Sequence, residues 1–174
     1  MAVKKFVADG SMIVWSTLRL VLGFVFLWSF FDKMFGFKVA TCQGADIGCS
    51  QAWVNGGSPT KGFLGYAVTG PFAEFYHKLA GHAWVDWLFM ISLAVIGVGL
   101  LLGTWIRFAA FVGIALLLLM WSALLWPVNT PGIDEHIVYA LVLFGIALTA
   151  ESQLWTLQPW WHKRQLAKAL PFLR

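Results

Sequence analysis

Uncharged residues fall in four long blocks along this chain, and block length separates helices that cross a bilayer from helices buried in a soluble core. The clearest block runs from Trp87 to Ile106, twenty uncharged residues between Asp86 and Arg107. That matches the ~20 residues needed to cross ~30 Å of hydrocarbon. The next uncharged stretch runs from Phe108 to Ile133, where Pro127 and Pro131 should end the helix near Trp126. Met12 to Phe31 forms a span that holds one charge, Arg19, and Glu135 to about Thr156 forms another that holds Glu151. The predicted architecture is an all-α integral membrane protein, a four-transmembrane-helix bundle in a single membrane domain over 1–174. Its spans lie at about 12–33, 84–104, 106–126 and 135–156, with an outer helical and loop segment at 34–83 and a basic tail at 157–174.

Composition agrees with the pattern. Only 11% of the residues are charged and 60% are hydrophobic, whereas soluble domains carry roughly a quarter charged residues. A water-facing surface cannot be built from so few charges, which excludes a soluble globular domain and a nucleic-acid-binding module. The partners to expect from composition are membrane lipid and a second copy of the chain.

Lysines and arginines near span ends set the orientation. With the N-terminus inside, Lys4, Lys5, Arg107, Lys163, Arg164, Lys168 and Arg174 face the cytoplasm, against Lys33, Lys38, Lys61 and Lys78 outside. Both termini are therefore expected in the cytoplasm of a multi-pass plasma-membrane protein. No small-residue cleavage site follows the first apolar stretch, so that stretch reads as a retained span and not as a secretory signal.

Both cysteines, Cys42 and Cys49, lie in the outer segment. In an oxidising compartment they would close a small loop, eased by Gly44 and Gly48, and a structural disulfide is the default reading. The alternative is a redox dithiol passing electrons to membrane quinone, although the spacing is not C-x-x-C. Further on, Asn55-Gly-Gly-Ser-Pro59 is turn chemistry, with Ser58 placed to cap a helix starting at Pro59. Pro71 could open a short interfacial helix with Phe72, Phe75, Tyr76 and Leu79 on one face.

Charges inside the spans are the most informative residues, because each costs ~2.5–3.5 kcal/mol even on insertion scales. Arg19 and Glu151 lie at matching depth near the inner side, which predicts an Arg19–Glu151 pair between the first and fourth spans. At the outer level, Asp32 and Lys33 end the first span while Asp134, Glu135 and His136 open the fourth. With Asp134 as the helix cap, His136 sits in the first turn, where the positive dipole end favours a neutral ring that could exchange protons with a quinone. The bland reading of the two acids is helix-start chemistry. Trp84, Trp87 and Trp126 fall at the same outer level and belong either to an interfacial aromatic belt or to the wall of a flat ring site. No flavin, haem or metal motif is present in the sequence.

Beyond these local readings, the chain resembles the DoxX/DoxD group of four-helix membrane proteins, and within it the DoxD-type subunit of thiosulfate:quinone oxidoreductase. The resemblance rests on Arg19-Leu-Val-Leu-Gly23 with Asp32-Lys33, on Trp53-Val-Asn-Gly-Gly-Ser-Pro-Thr60, on Trp84-Val-Asp-Trp-Leu-Phe89 and on Pro131-Gly-Ile-Asp-Glu-His136, and it covers roughly Leu18 to Ala150. It implies oxidation of thiosulfate at the outer face, with quinone as electron acceptor and a second subunit alongside. Thiosulfate is a dianion, so it stays outside the bilayer and needs cations to offset repulsion between two copies. Lys33, Lys61 and Arg19 are the expected anion-binding residues, with His136 as proton acceptor. Asp134 and Asp32 would complete the catalytic cluster, and Glu135, Trp84, Trp87 and Trp126 would border the quinone. Two competitors are a non-catalytic membrane anchor or scaffold for a redox assembly and a quinone-coupled thiol oxidase using Cys42 and Cys49.

Overall fold

A computed structural model describes residues 2–127, 130–170 and 172, and of residues 2–8, 166 and 168 the backbone alone. Of the basic residues counted above, the side chains of Lys4, Lys5 and Lys168, and the whole of Arg174, lie outside the described residues. Every regular element among the described residues is helical. That is the outcome hydrocarbon imposes on apolar runs of this length, because a helix satisfies its backbone groups internally.

Helix α1 covers Ala2–Phe35 and α2 is a short helix at Ala73–Leu79. The longer α3, Ala83–Leu102, is followed by α4, Ile106–Ala123, and by α5, Glu135–Leu148. Short helices α6, Gln158–Trp161, and α7, Gln165–Ala169, close the chain. Three helices, α1, α3 and α4, are long and apolar enough to cross a membrane. The fourth is shorter than the sequence predicts. Helix α5 has 14 residues, and a separate 3-10 turn at Ala150–Ser152 follows it. The single helix expected over 135–156 is therefore broken at Thr149.

Helix α3 packs on α1 and α4, and α4 packs in turn on α5, which returns to α1 and closes the bundle. Between α3 and α4 the chain reverses within three residues, because Gly103 takes the left-handed conformation (φ 62°) that ends α3. Met90, Ile96, Leu100, Ile106, Leu143 and Ile146 are fully buried at the centre. Phe24, Ile91, Phe111, Leu119 and Leu141 point outward and are largely exposed. Apolar residues on both the inside and the outside fit helices surrounded by lipid.

One end of the bundle is held by Arg19, which is completely buried. Its guanidinium donates to the carbonyls of Leu100 and Leu101 in the last turn of α3, and to those of Leu154 (2.8 Å) and Trp155 (3.1 Å) beyond α5. Its Nε donates to Gln153 Oε1 at 3.2 Å. Nearby, the Leu154 amide donates to the Ser16 hydroxyl at 2.8 Å. A cation placed on the carbonyl end of α3 also meets the negative end of that helix dipole.

The expected Arg19–Glu151 pair is not formed. Glu151 bonds Arg107 at 2.9 Å on the surface, where both side chains are substantially exposed. The break at Thr149 explains the difference: residue 151 no longer lies on the inward face of a continuous helix, and Gln153 takes the place beside Arg19.

Candidate functional site

The opposite end of the bundle is covered by the segment between α1 and α3, which forms a lid fastened at three points. The first is Asp32, in the last turn of α1. Its carboxylate accepts the amides of Val39 (3.1 Å), Ala40 (3.0 Å) and Thr41 (2.9 Å), and the residue is 2% exposed. Next along the chain, Cys42 and Cys49 form a disulfide, with Cys42 fully buried. Asp32 and the disulfide together tie this loop to the end of α1.

The second fastening is Asp86, near the start of α3. A single carboxylate oxygen, Oδ1, accepts from the Ser58 hydroxyl (2.9 Å), the Thr60 amide (3.1 Å) and the Thr60 hydroxyl (2.6 Å). Ser58 was expected to cap a helix starting at Pro59. Its hydroxyl is instead spent on Asp86, and the lid forms a π-helical turn at Phe63–Ala67.

The third fastening lies against the end of α4. The Tyr76 hydroxyl of α2 meets the Ser122 hydroxyl at 2.6 Å and donates to the Leu119 carbonyl at 3.1 Å, and the Thr69 amide donates to the Ala123 carbonyl at 3.2 Å. Of the apolar face expected on α2, Tyr76 is buried while Phe72 and Phe75 are exposed.

Between this lid and the faces of α3 and α4 lies a cavity of about 1280 Å³. Its lining is largely apolar, with Phe89, Val112 and Leu116 among it, and its polar members include Thr41, Gln51, Lys33 and Lys61. Among the described residues, two cations and no carboxylate or histidine line it. Lys33 is half-buried, with its Nζ 5.9 Å from the centre of the Phe89 ring, while Lys61 is exposed. The arrangement suits an amphipathic molecule whose head accepts hydrogen bonds or carries negative charge and whose tail is apolar.

The structure separates the sequence-predicted site residues. Lys33, Lys61 and Trp84 line the cavity. Asp32 does not line it and is committed to three backbone amides. Asp134, Glu135 and His136 do not line it either. Asp134 Oδ1 caps α5 by accepting the His136 amide (3.0 Å) and the Ile137 amide (3.4 Å), and its Oδ2 meets His136 Nδ1 at 2.8 Å. Ligand atoms of Asp134, Glu135 and His136 lie within 4.8 Å of one another, but both Asp134 oxygens already have partners. Trp126 is 71% exposed and Trp87 borders a separate, smaller cleft. Arg19 belongs to the far end. Asp86 and Phe89 lie within the Trp84–Phe89 motif that carries the resemblance, but neither they nor Gln51 has a predicted site role, and an acid in the first turn of a helix is otherwise ordinary helix-start chemistry.

Comparison with known proteins adds no relative: no family model, curated protein or solved structure matches the chain.

Proposed function

We propose that this chain is a membrane oxidoreductase subunit that couples oxidation of thiosulfate, or a related sulfur compound, to reduction of a membrane quinone bound in the lid-end cavity. The observation that carries the reading is the cavity itself, largely apolar and lined by two lysines, with no carboxylate among the described residues that line it. A quinone ring offers carbonyl acceptors to Lys33 and Lys61, and its isoprenoid tail suits the trough beside Phe89 and Leu116. The same lysines offset charge on thiosulfate approaching from the aqueous side. In the overall step two thiosulfate dianions each lose one electron and join through a new sulfur–sulfur bond. The quinone takes up both electrons and two protons from water at the open rim, giving quinol. The choice of sulfur substrate, and of a second subunit alongside, rests on the resemblance to the DoxD-type proteins.

In this reading α5 is the fourth span. Its 14 residues at ~1.5 Å each and the 3-10 turn at ~2 Å per residue together reach about 27 Å. The lid then lies outside the plasma membrane, where a disulfide persists, and both termini are cytoplasmic. Arg107, Lys163 and Arg164 share the inner end, consistent with the positive-inside rule.

The test is thiosulfate-driven quinone reduction in membranes containing the chain. Lys61→Ala should raise the KM for thiosulfate about tenfold while the fold, followed by circular dichroism, is unchanged. His136→Ala should leave turnover largely intact, because His136 does not border the cavity. Loss of turnover in His136→Ala with the fold preserved would move the reacting quinone to the start of α5. Absence of quinone reduction, together with co-purification of soluble redox enzymes, would favour the scaffold reading.

A further inference from the structure

A second, smaller cleft adjoins the cavity and has the opposite electrostatic character. It measures about 290 Å³, several times a water molecule's share of about 30 Å³. Trp53, Trp87 and Asp86 border it, with Gly56, Gly57 and Gly81 contributing no side chains. No lysine, arginine or histidine lines it.

The indoles of Trp53 and Trp87 pack edge to face, 73° apart with ring centroids at 4.7 Å. Asp86 is 5% exposed, and its three hydrogen bonds all fall on Oδ1. Oδ2 accepts no hydrogen bond from any described residue, yet it is not sealed from solvent. Asp86 borders this cleft and not the larger cavity. A carboxylate with an oxygen free of partners and two tryptophans therefore border the same space. A cation within about 6 Å of an aromatic ring face is attracted by the ring quadrupole, most strongly when the ring is tryptophan.

We infer that this cleft is a binding site for an organic ammonium group, held by cation–π contact with Trp53 and Trp87 and by charge attraction to Asp86 Oδ2. Trp87 is 57% exposed near the lid end of α3, the level at which interfacial tryptophans meet lipid headgroups. The ammonium group has two sources that share this chemistry: the amine headgroup of a phospholipid and a free amine such as choline. The site stands on different residues from the quinone reading and does not depend on it.

The test uses the full-length protein in detergent and in nanodiscs. Choline is titrated by calorimetry, and lipids retained through purification are identified by mass spectrometry. Trp87→Leu alters an exposed side chain, so it keeps the fold, and Asp86→Asn keeps the Oδ1 acceptor while placing an amide N–H₂ at Oδ2. Both variants should weaken choline binding about tenfold, or, if the source is lipid, should lose retained phosphatidylethanolamine or phosphatidylcholine but not phosphatidylglycerol. Choline binding alone assigns a free amine, and selective retention of amine lipids assigns a headgroup. The inference is overturned if the wild-type protein neither binds choline nor prefers amine lipids to phosphatidylglycerol. It is equally overturned if Trp87→Leu leaves both properties unchanged.

Discussion

Replacing Arg19 by methionine should lower the stability of the purified protein by at least about 1–3 kcal/mol, the cost of leaving a buried acceptor without its donor. Methionine fills similar space but donates nothing. The carbonyls of Leu100, Leu101, Leu154 and Trp155 and the Gln153 side chain would lose their shared donor. Each unsatisfied buried acceptor costs about 1–3 kcal/mol before relaxation. Arg19→Lys should recover only part of the loss, because one ammonium cannot reach carbonyls on both sides as the planar guanidinium does. Glu151→Gln supplies the contrast. Its partner is Arg107 on the surface, so the change should fall within about 0–1 kcal/mol. Unfolding in detergent, followed by circular dichroism, measures all three variants. A loss below about 1 kcal/mol for Arg19→Met, or an equal loss for Glu151→Gln, would show that Arg19 is not the clasp described.

The second large effect concerns the contact of α1 with α3. A Cβ at Gly97 would stand 2.7–2.9 Å from the Cβ, N and Cα of Leu27, two of them backbone atoms that cannot move aside without shifting α1. Small residues let membrane helices approach this closely. Gly97→Ala should therefore destabilise the bundle by about 1–3 kcal/mol, in the range of overpacked cores, and Gly97→Val by more. Gly10 gives the opposite expectation. No atom lies within 4 Å of a Cβ there, so Gly10→Ala should be stabilising by up to about 1 kcal/mol through helix propensity alone. Equal effects at Gly10 and Gly97, measured by the same unfolding assay, would rule out close α1–α3 packing.

The helical class and the presence of membrane-crossing helices were legible because run length and charge spacing report directly on the solvent around a helix. The disulfide between Cys42 and Cys49 was legible from their pairing in one segment. The break after α5 was not, since no proline or glycine lies at 149–152 to mark it. That break also defeated the Arg19–Glu151 pairing, which assumed one continuous helix. Shared depth is legible from sequence, whereas position around the bundle is set by packing that sequence spacing does not encode. Lys33 turns toward the cavity, whereas its neighbour Asp32 turns to the Val39–Thr41 loop. Adjacent helical residues diverge by about 100°, as 3.6 residues per turn require. The lid's role as a cavity wall was equally hidden, because its fastenings join Asp86 to Ser58 and Thr60, and Tyr76 to Ser122, across long stretches of chain.

The quinone proposed for the space between the lid, α3 and α4 can be located with a photoreactive quinone analogue, irradiated in membranes and mapped by peptide mass spectrometry. Labelling is expected within the Phe63–Ala67 turn and on α3 and α4 around Phe89 and Leu116, suppressed by excess unlabelled quinone. Labelling concentrated on α5 around His136, or labelling that excess quinone does not reduce, would place quinone elsewhere.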